Sequence, residues 1–79
     1  MNNLEKYNAV FKEVLSLKEN FEPDKVNQQE ISDWDSVGHM ELITALEDAF
    51  DIMFDIDDIL EFTSYNQGVQ LLQKYNIQF

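Results

Sequence analysis

Apolar and polar residues near the N-terminus follow a pattern that predicts an amphipathic helix. Apolar side chains recur there at three- and four-residue steps over roughly four turns, and they are Leu4, Tyr7, Val10, Phe11, Val14, Leu15 and Leu17. Pro23 ends the pattern, because the residue before a proline is pushed out of the α region. The sequence then predicts a long connection from Asn20 to Asp35, whose apolar anchors are expected to be Phe21, Val26, Ile31 and Trp34.

A second helix is predicted to begin at Asp35 and Ser36. One face of this helix is expected to be buried in the core, and its residues are Leu42, Ala45, Leu46, Ala49 and Phe50. A different face carries mainly Val37, Met40, Thr44, Glu47 and Asp48. The alternative for Val37 and Met40 is that both belong to the core.

Two further helices follow in the pattern. Asp55 and Asp57 can cap a short third helix that contains Ile59, Leu60 and Phe62. Ser64 and Gln67 have the spacing of a capping box, and the helix after them is expected to face inward with Tyr65, Val69, Leu72 and Tyr75 or Ile77. Because no segment alternates with period two for long, we predict an all-α fold: a four-helix bundle with three longer helices, a short third helix and a long loop between the first two.

Length and composition limit what this bundle can be. With 79 residues, 44% of them apolar, the chain is expected to form a single domain over residues 1–79 with one modest core. The absence of cysteine excludes a disulfide framework, a thiolate metal site and a thiol nucleophile. No signal peptide and no apolar run of about 20 residues are visible, so we expect a cytoplasmic protein without membrane insertion.

The charges are distributed unevenly along the chain. Five lysines stand against sixteen acidic residues, a net charge of −11, and eleven of the acids lie between Lys25 and Lys74, where no basic residue occurs. Such a surface repels nucleic acid and anionic membranes. It favours a protein partner with a basic patch, met at electrostatically steered rates. The alternative is that the acids only keep a small domain soluble.

Two arrangements could suggest chemistry, and neither is complete. Ser36 and His39 share a helix face, but no nucleophile-elbow motif surrounds the serine and the chain has one histidine. We therefore interpret His39 as a partly exposed helix residue. Asp33, Asp35 and Gly38 begin like a calcium-binding loop, but Val37 takes the fifth position, and Thr44 takes the twelfth, where a bidentate Glu is required. We expect no dedicated metal site and no enzymatic activity.

The Asp35-Ser36 pair precedes the second helix, where both residue types are common N-caps. A hydroxyl at this position is also exposed, and a helix N-terminus favours an anion attached to it. Since Ser36 has no base of its own, another enzyme must activate it. The serine is thus a better acceptor of a phosphate-linked group than a catalytic nucleophile.

Residues 35–43, DSVGHMELI, resemble the signature of the acyl carrier proteins and related phosphopantetheine-binding carrier domains. The stretch ALEDAFDI at 45–52 continues the resemblance, and residues 56–64 are similar to the short third helix and the start of the fourth helix of that family. The resemblance extends over nearly the whole chain and implies the four-helix bundle of the acyl-carrier type.

The resemblance implies that Ser36, with Asp35 beside it, receives 4′-phosphopantetheine from coenzyme A through a magnesium-dependent transferase. The new thiol would hold an acyl group as a thioester. The chain would dock as a monomer on basic patches of acyl-loading or acyl-transferring enzymes, through Val37, Met40, Glu41, Thr44, Glu47 and Asp48. Leu42, Leu46 and Phe50 would line a core that in this family can open to shelter an acyl chain.

The sequence also departs from the housekeeping fatty-acid carriers, at Trp34, Val37, Gly38-His39 and Phe54-Asp55. The glycine at position 38 resembles the aminoacyl carriers, which have a glycine two residues after the serine. The acids of the second helix, by contrast, look like those of fatty-acid or polyketide carriers. We expect a specialised, free-standing acyl carrier in fatty-acid, polyketide or related acyl transfer. The alternatives are an aminoacyl carrier of D-alanyl or peptidyl type, an unmodified carrier-like binding module, and a small acidic calcium or scaffold protein. The sequence offers no physical reason for Gly38, a residue that weakens a helix by up to ~1 kcal/mol.

Overall fold

Four α-helices make up the regular structure of the computed structural model, which describes residues 2–79. They are α1 (Asn3–Leu15), α2 (Ser36–Phe50), α3 (Ile56–Glu61) and α4 (Tyr65–Lys74), and Pro23–Lys25 form a 3₁₀ turn between α1 and α2. No strand occurs among the described residues, so the predicted all-α fold with a short third helix and a long first loop is confirmed. Within residues 2–79, no helix is both long enough and apolar enough to cross a membrane.

Helix α1 begins at a side-chain cap and ends at a left-handed residue. The Asn2 side chain accepts a hydrogen bond from the Glu5 N–H at 2.8 Å, which satisfies one of the free donors of the first turn. Ser16 has φ of 57° and ends the helix. Leu17, which the periodicity assigned to the helix, therefore lies beyond its end and packs on the core from the following turn.

Aromatic rings fill the core and bind the long loop to it. Phe11 of α1 lies 5.6 Å from Trp34 and 6.2 Å from Phe62, measured between ring centroids. Two backbone hydrogen bonds, from Gln28 N–H to the Thr63 carbonyl and from Tyr65 N–H to the Val26 carbonyl, join the loop to the α3–α4 junction. The apolar anchors predicted for the loop all pack against the core: Phe21, Val26, Ile31 and Trp34.

The buried faces of α2 and α4 differ in part from the prediction. Leu42, Leu46 and Phe50 of α2 are buried as expected, but Ile43 is buried too, while Ala45 and Ala49 are only partly covered. In α4, Leu71 is buried and Val69 is partly exposed. A Cβ at Gly68 would lie 2.2 Å from the Tyr7 hydroxyl, so α4 contacts α1 through the face that contains Gly68. Apolar periodicity does not detect this face, because a glycine has no side chain.

Helix α3 has six residues and depends on its neighbours, because a helix this short is not stable alone. Asp55 is the N-cap residue, as predicted, although its carboxylate accepts no hydrogen bond from the helix. Asp57 lies within the first turn, so the prediction that it also caps α3 is wrong. Leu60 is 73% exposed. The buried acid is Asp58, which accepts hydrogen bonds from Lys74 Nζ at 2.8 Å and from the Tyr75 hydroxyl at 2.6 Å.

Asp58→Asn is expected to destabilise the protein by about 1–3 kcal/mol at pH 7, because it weakens hydrogen bonds to a buried charged group. The bonds from Lys74 and Tyr75 hold the pKa of Asp58 below its ordinary value. Since the folded pKa is then lower than the unfolded one, this stabilisation is complete above the ordinary pKa and is lost as the pH falls through the folded value.

Urea unfolding of wild type and Asp58→Asn across the acid range measures this effect. The exposed neighbour Asp57→Asn is the control and is expected to change stability by less than about 0.5 kcal/mol. A difference between wild type and Asp58→Asn that does not shrink toward low pH would contradict the assignment.

Candidate functional site

The long loop meets α2 at Asp35, which caps the helix. The Asp35 carboxylate accepts a hydrogen bond from the Gly38 N–H at 2.8 Å, and its carbonyl accepts one from the His39 N–H at 2.7 Å. These bonds define Asp35 as the N-cap. Ser36 is therefore the first residue of α2, and the capping interaction does not involve its side chain.

The Ser36 hydroxyl is exposed and has no hydrogen-bond partner among residues 2–79. The backbone N–H groups of Ser36 and Val37 also lack an acceptor there, as expected for the first residues of a helix. A phosphate ester on Ser36 would meet these donors and the positive end of the helix dipole. The residues present thus fit a prosthetic group that is attached through a phosphate.

Gly38 lies where the loop approaches the first turn of α2 most closely. A Cβ at this position would lie 2.0 Å from the Asp33 carbonyl oxygen and 3.2 Å from its carbonyl carbon. Both are backbone atoms that cannot move aside as a flexible side chain would. Close packing of the loop on the helix is therefore the physical reason for this glycine.

A shallow groove of about 660 Å³ runs along the outer face of α2 from Ser36. It is lined by Ser36, Val37, Met40, Glu41, Thr44, Ala45 and Asp48. Val37 is 67% exposed and Met40 is 50% exposed, so the alternative that they belong to the core is wrong. The groove therefore brings together five of the six residues that the sequence assigned to a recognition face.

Glu47 is the sixth of those residues, and it has a different environment. It is partly buried, and its carboxylate accepts a hydrogen bond from the Phe54 N–H at 2.9 Å. Because Phe54 lies in the segment between α2 and α3, this bond holds that segment against the end of α2. Glu47 thus has an internal role that spacing along the helix did not indicate.

His39 does not pair with Ser36. Its Nδ1 accepts a hydrogen bond from Trp34 Nε1 at 2.9 Å, and its Nε2 lies 2.8 Å from the Ile59 carbonyl oxygen. Both ring nitrogens are thus used within the fold, and the nucleophile–base pair considered from the sequence does not form. Among residues 2–79, no three acidic or histidine side chains converge as a metal site requires.

One comparison with known proteins identifies a related family. A family model described as "Phosphopantetheine attachment site" matches residues 9–72, from within α1 to within α4. Comparisons with curated proteins and with solved structures found no match. The matched range contains the whole loop, α2 and α3, and hence every residue of the candidate site.

Gly38→Ala is expected to destabilise the protein by about 1–3 kcal/mol, the usual effect of overpacking. In an open helix the same change would stabilise by up to about 1 kcal/mol, so the sign of the effect distinguishes close packing from helix propensity. Urea unfolding provides the measurement. Thr44→Ala, at an exposed position of α2, is the control and is expected to leave stability unchanged or raise it slightly. A more stable Gly38→Ala protein would refute the close contact with Asp33.

Proposed function

The chain belongs to the family of carrier domains with a phosphopantetheine attachment site, and we propose that Ser36 is the serine to which its 4′-phosphopantetheine is attached. Membership implies that the group is bound covalently. The observation that carries the assignment is the exposed Ser36 hydroxyl, which has no bonding role in the fold because Asp35 caps α2. Ser64, by contrast, caps α4 by accepting a bond from the Gln67 N–H at 3.0 Å.

Each residue around Ser36 then has a defined part in holding the group. Asp35 fixes the first turn of α2, and the N–H groups of Ser36 and Val37, which have no acceptor among residues 2–79, would be available to hydrogen-bond the phosphate. When bound, the group supplies a thiol that holds the cargo as a thioester. The chain's own residues hold and present this group, and we propose that they catalyse no reaction, since its one histidine is engaged by Trp34 and Ile59.

Carrier domains interact with partner enzymes, and we propose the groove face of α2 as the docking surface of this one. Two exposed apolar residues, Val37 and Met40, are flanked there by the carboxylates of Glu41 and Asp48. Thr44 lies between Glu41 and Asp48 on this helix, and Glu47 contributes charge at the margin of the proposed docking surface. Acidic rims raise association rates more than affinity, which suits a carrier that must visit a transferase and several acyl-transferring enzymes in turn.

We propose an acyl group as the cargo, in fatty-acid, polyketide or related acyl transfer. The acids of α2 support this choice over an aminoacyl cargo. The resemblance to aminoacyl carriers depended on Gly38, and close packing against Asp33 explains that residue without reference to cargo. An unmodified binding module would have no use for Ser36, whose side chain does nothing else in the fold.

Intact mass spectrometry tests the attachment site. After incubation with coenzyme A, Mg²⁺ and a phosphopantetheinyl transferase of broad specificity, the wild-type chain is expected to gain one phosphopantetheine, and Ser36→Ala none. Ser32→Ala is the matched control, because Ser32 is an exposed serine of the loop that leads into α2. A gain of phosphopantetheine by Ser36→Ala would place the group at another residue. If no variant gains it while an established carrier in the same tube is modified, the result would support an unmodified binding module.

Charge reversal tests the docking surface. Glu41→Lys and Asp48→Lys are each expected to lower the kcat/KM of loading by about three- to tenfold at low ionic strength, with a smaller effect at high salt. Glu13→Lys makes the same charge change on the exposed face of α1 and is expected to load normally. Glu47→Lys is less informative, because it also removes the bond to Phe54. Equal loading of all variants, with circular dichroism unchanged, would exclude docking at this face.

A further inference from the structure

The backbone around Ser36 alone fixes the position of its hydroxyl, because the hydroxyl makes no hydrogen bond among residues 2–79. In loading, the serine oxygen forms a bond to the phosphorus that carries the pantetheine. The bond from that phosphorus to the leaving adenosine bisphosphate breaks, and the serine proton passes to a base of the transferase. Such a displacement needs the oxygen about 3–3.5 Å from the phosphorus and in line with the leaving group. The contacts that hold the backbone at residues 34–39 therefore affect how fast the serine reacts.

A side-chain hydrogen bond closes this segment into a ring around Ser36. The Trp34 indole Nε1 donates to His39 Nδ1 at 2.9 Å. Trp34 lies at the end of the long loop and His39 in the first turn of α2, on either side of the serine. The His39 N–H also donates to the Asp35 carbonyl at 2.7 Å. One side-chain bond and one backbone bond thus join the two ends of the segment, with the serine between them.

The state of the His39 ring follows from the chemistry of its partners. An indole N–H can only donate, so Nδ1 must be the unprotonated acceptor. Nε2 lies 2.8 Å from the Ile59 carbonyl oxygen, which can only accept, so Nε2 carries the proton. The side-chain amide of Gln28 approaches the same Nδ1 at a longer distance of 3.4 Å. The bond to Ile59 holds the ring from its other side and keeps Nδ1 directed at Trp34.

Burial makes the bond between these two side chains important for the backbone. The Trp34 side chain is 3% exposed and packs against the rings of Phe11 and Phe62, at centroid distances of 5.6 Å and 6.0 Å. Without its acceptor, the indole N–H would be a buried donor with no partner, which is unfavourable. A shift of Trp34 that relieves this state would also move the two residues that follow it, and Ser36 is the second of them.

We propose that Trp34 and His39 are positioning residues for loading, because their hydrogen bond holds the Ser36 oxygen where the transferase needs it. This inference rests on the proposed function. The groove on the outer face of α2, proposed above as the docking surface, contains neither residue. Loss of the bond is therefore expected to lower the kcat of loading and to leave its KM nearly unchanged.

Two substitutions at position 39 separate the two bonds of the ring. His39→Asn keeps an acceptor near the position of Nδ1 and loses the donor to Ile59. His39→Gln keeps a donor near the position of Nε2 and loses the acceptor for Trp34. We expect His39→Gln and Trp34→Phe each to lower the kcat of loading by about five- to tenfold, and His39→Asn to retain most of it.

Tyr75→Phe is the control for a loss of stability, because it removes the hydroxyl that bonds to Asp58 at the α4 side of α3. It is expected to load normally. The double variant Trp34→Phe/His39→Gln is expected to load no more slowly than either single variant, because both changes break the same bond.

Two results of these assays would overturn the proposal. One is an equal kcat in wild type, Trp34→Phe and His39→Gln, or losses that add in the double variant. The other is a kcat that falls in the order of stability in urea across all variants, with His39→Asn and Tyr75→Phe included, since a merely structural role predicts that order.

The hydrogen bond itself is measured in the unmodified protein. The chain has one tryptophan, so its indole N–H gives a single NMR signal. We expect this proton to exchange with solvent about five- to tenfold faster in His39→Gln than in wild type, as for the loss of one hydrogen bond. His39→Asn is expected to retain the protection. Equal exchange in all three proteins would refute the bond between Trp34 and His39.

The outcomes separate this inference from the proposed function. If the wild-type chain is never loaded while an established carrier in the same tube is, the proposed function fails and the positioning role fails with it, even where indole exchange confirms the bond. If the chain is loaded and His39→Gln and Trp34→Phe are loaded as fast as wild type, the function stands and the positioning role is wrong. Should Trp34→Phe not fold, the comparison of His39→Gln with His39→Asn decides the proposal.

Discussion

The close packing of the long loop against the first turn of α2 is the constraint on which the site depends. The Asp33 carbonyl lies where any side chain at position 38 would be, and two residues later the Asp35 carboxylate caps the helix. With the loop bound from both sides, Trp34 is directed into the core and Ser36 is left at the surface. The exposure of the serine thus follows from how its neighbours are held.

Acidic residues that look alike in the sequence have different environments in the fold. Asp35, Glu47 and Asp58 each accept hydrogen bonds that hold a helix end or a connecting segment. Glu41 and Asp48 line the outer groove of α2 and make no such bond. The first group thus contributes to stability, and on the docking surface proposed above a partner with a basic patch would meet the second group.

Helix α3 connects the site to the rest of the bundle. It is too short to be stable alone, so its position depends on its partners, His39 on the α2 side and Lys74 with Tyr75 on the α4 side. Elements with few internal contacts are the first to open in a folded protein.

The sequence by itself determined the all-α class, the helices, the apolar anchors of the loop and the exposed serine at the start of α2. These features depend on residues three or four positions apart, and periodicity and capping signals report such local relations directly. Only the tertiary structure decided why position 38 is a glycine, what His39 binds, and that Asp58 is buried. The glycine is required by the course of the loop, which brings the Asp33 carbonyl against α2. The other two depend on residues from separate segments, as Ile59 is to His39 and Tyr75 is to Asp58. No local sequence pattern reports such contacts between segments, because they form only when the helices pack together.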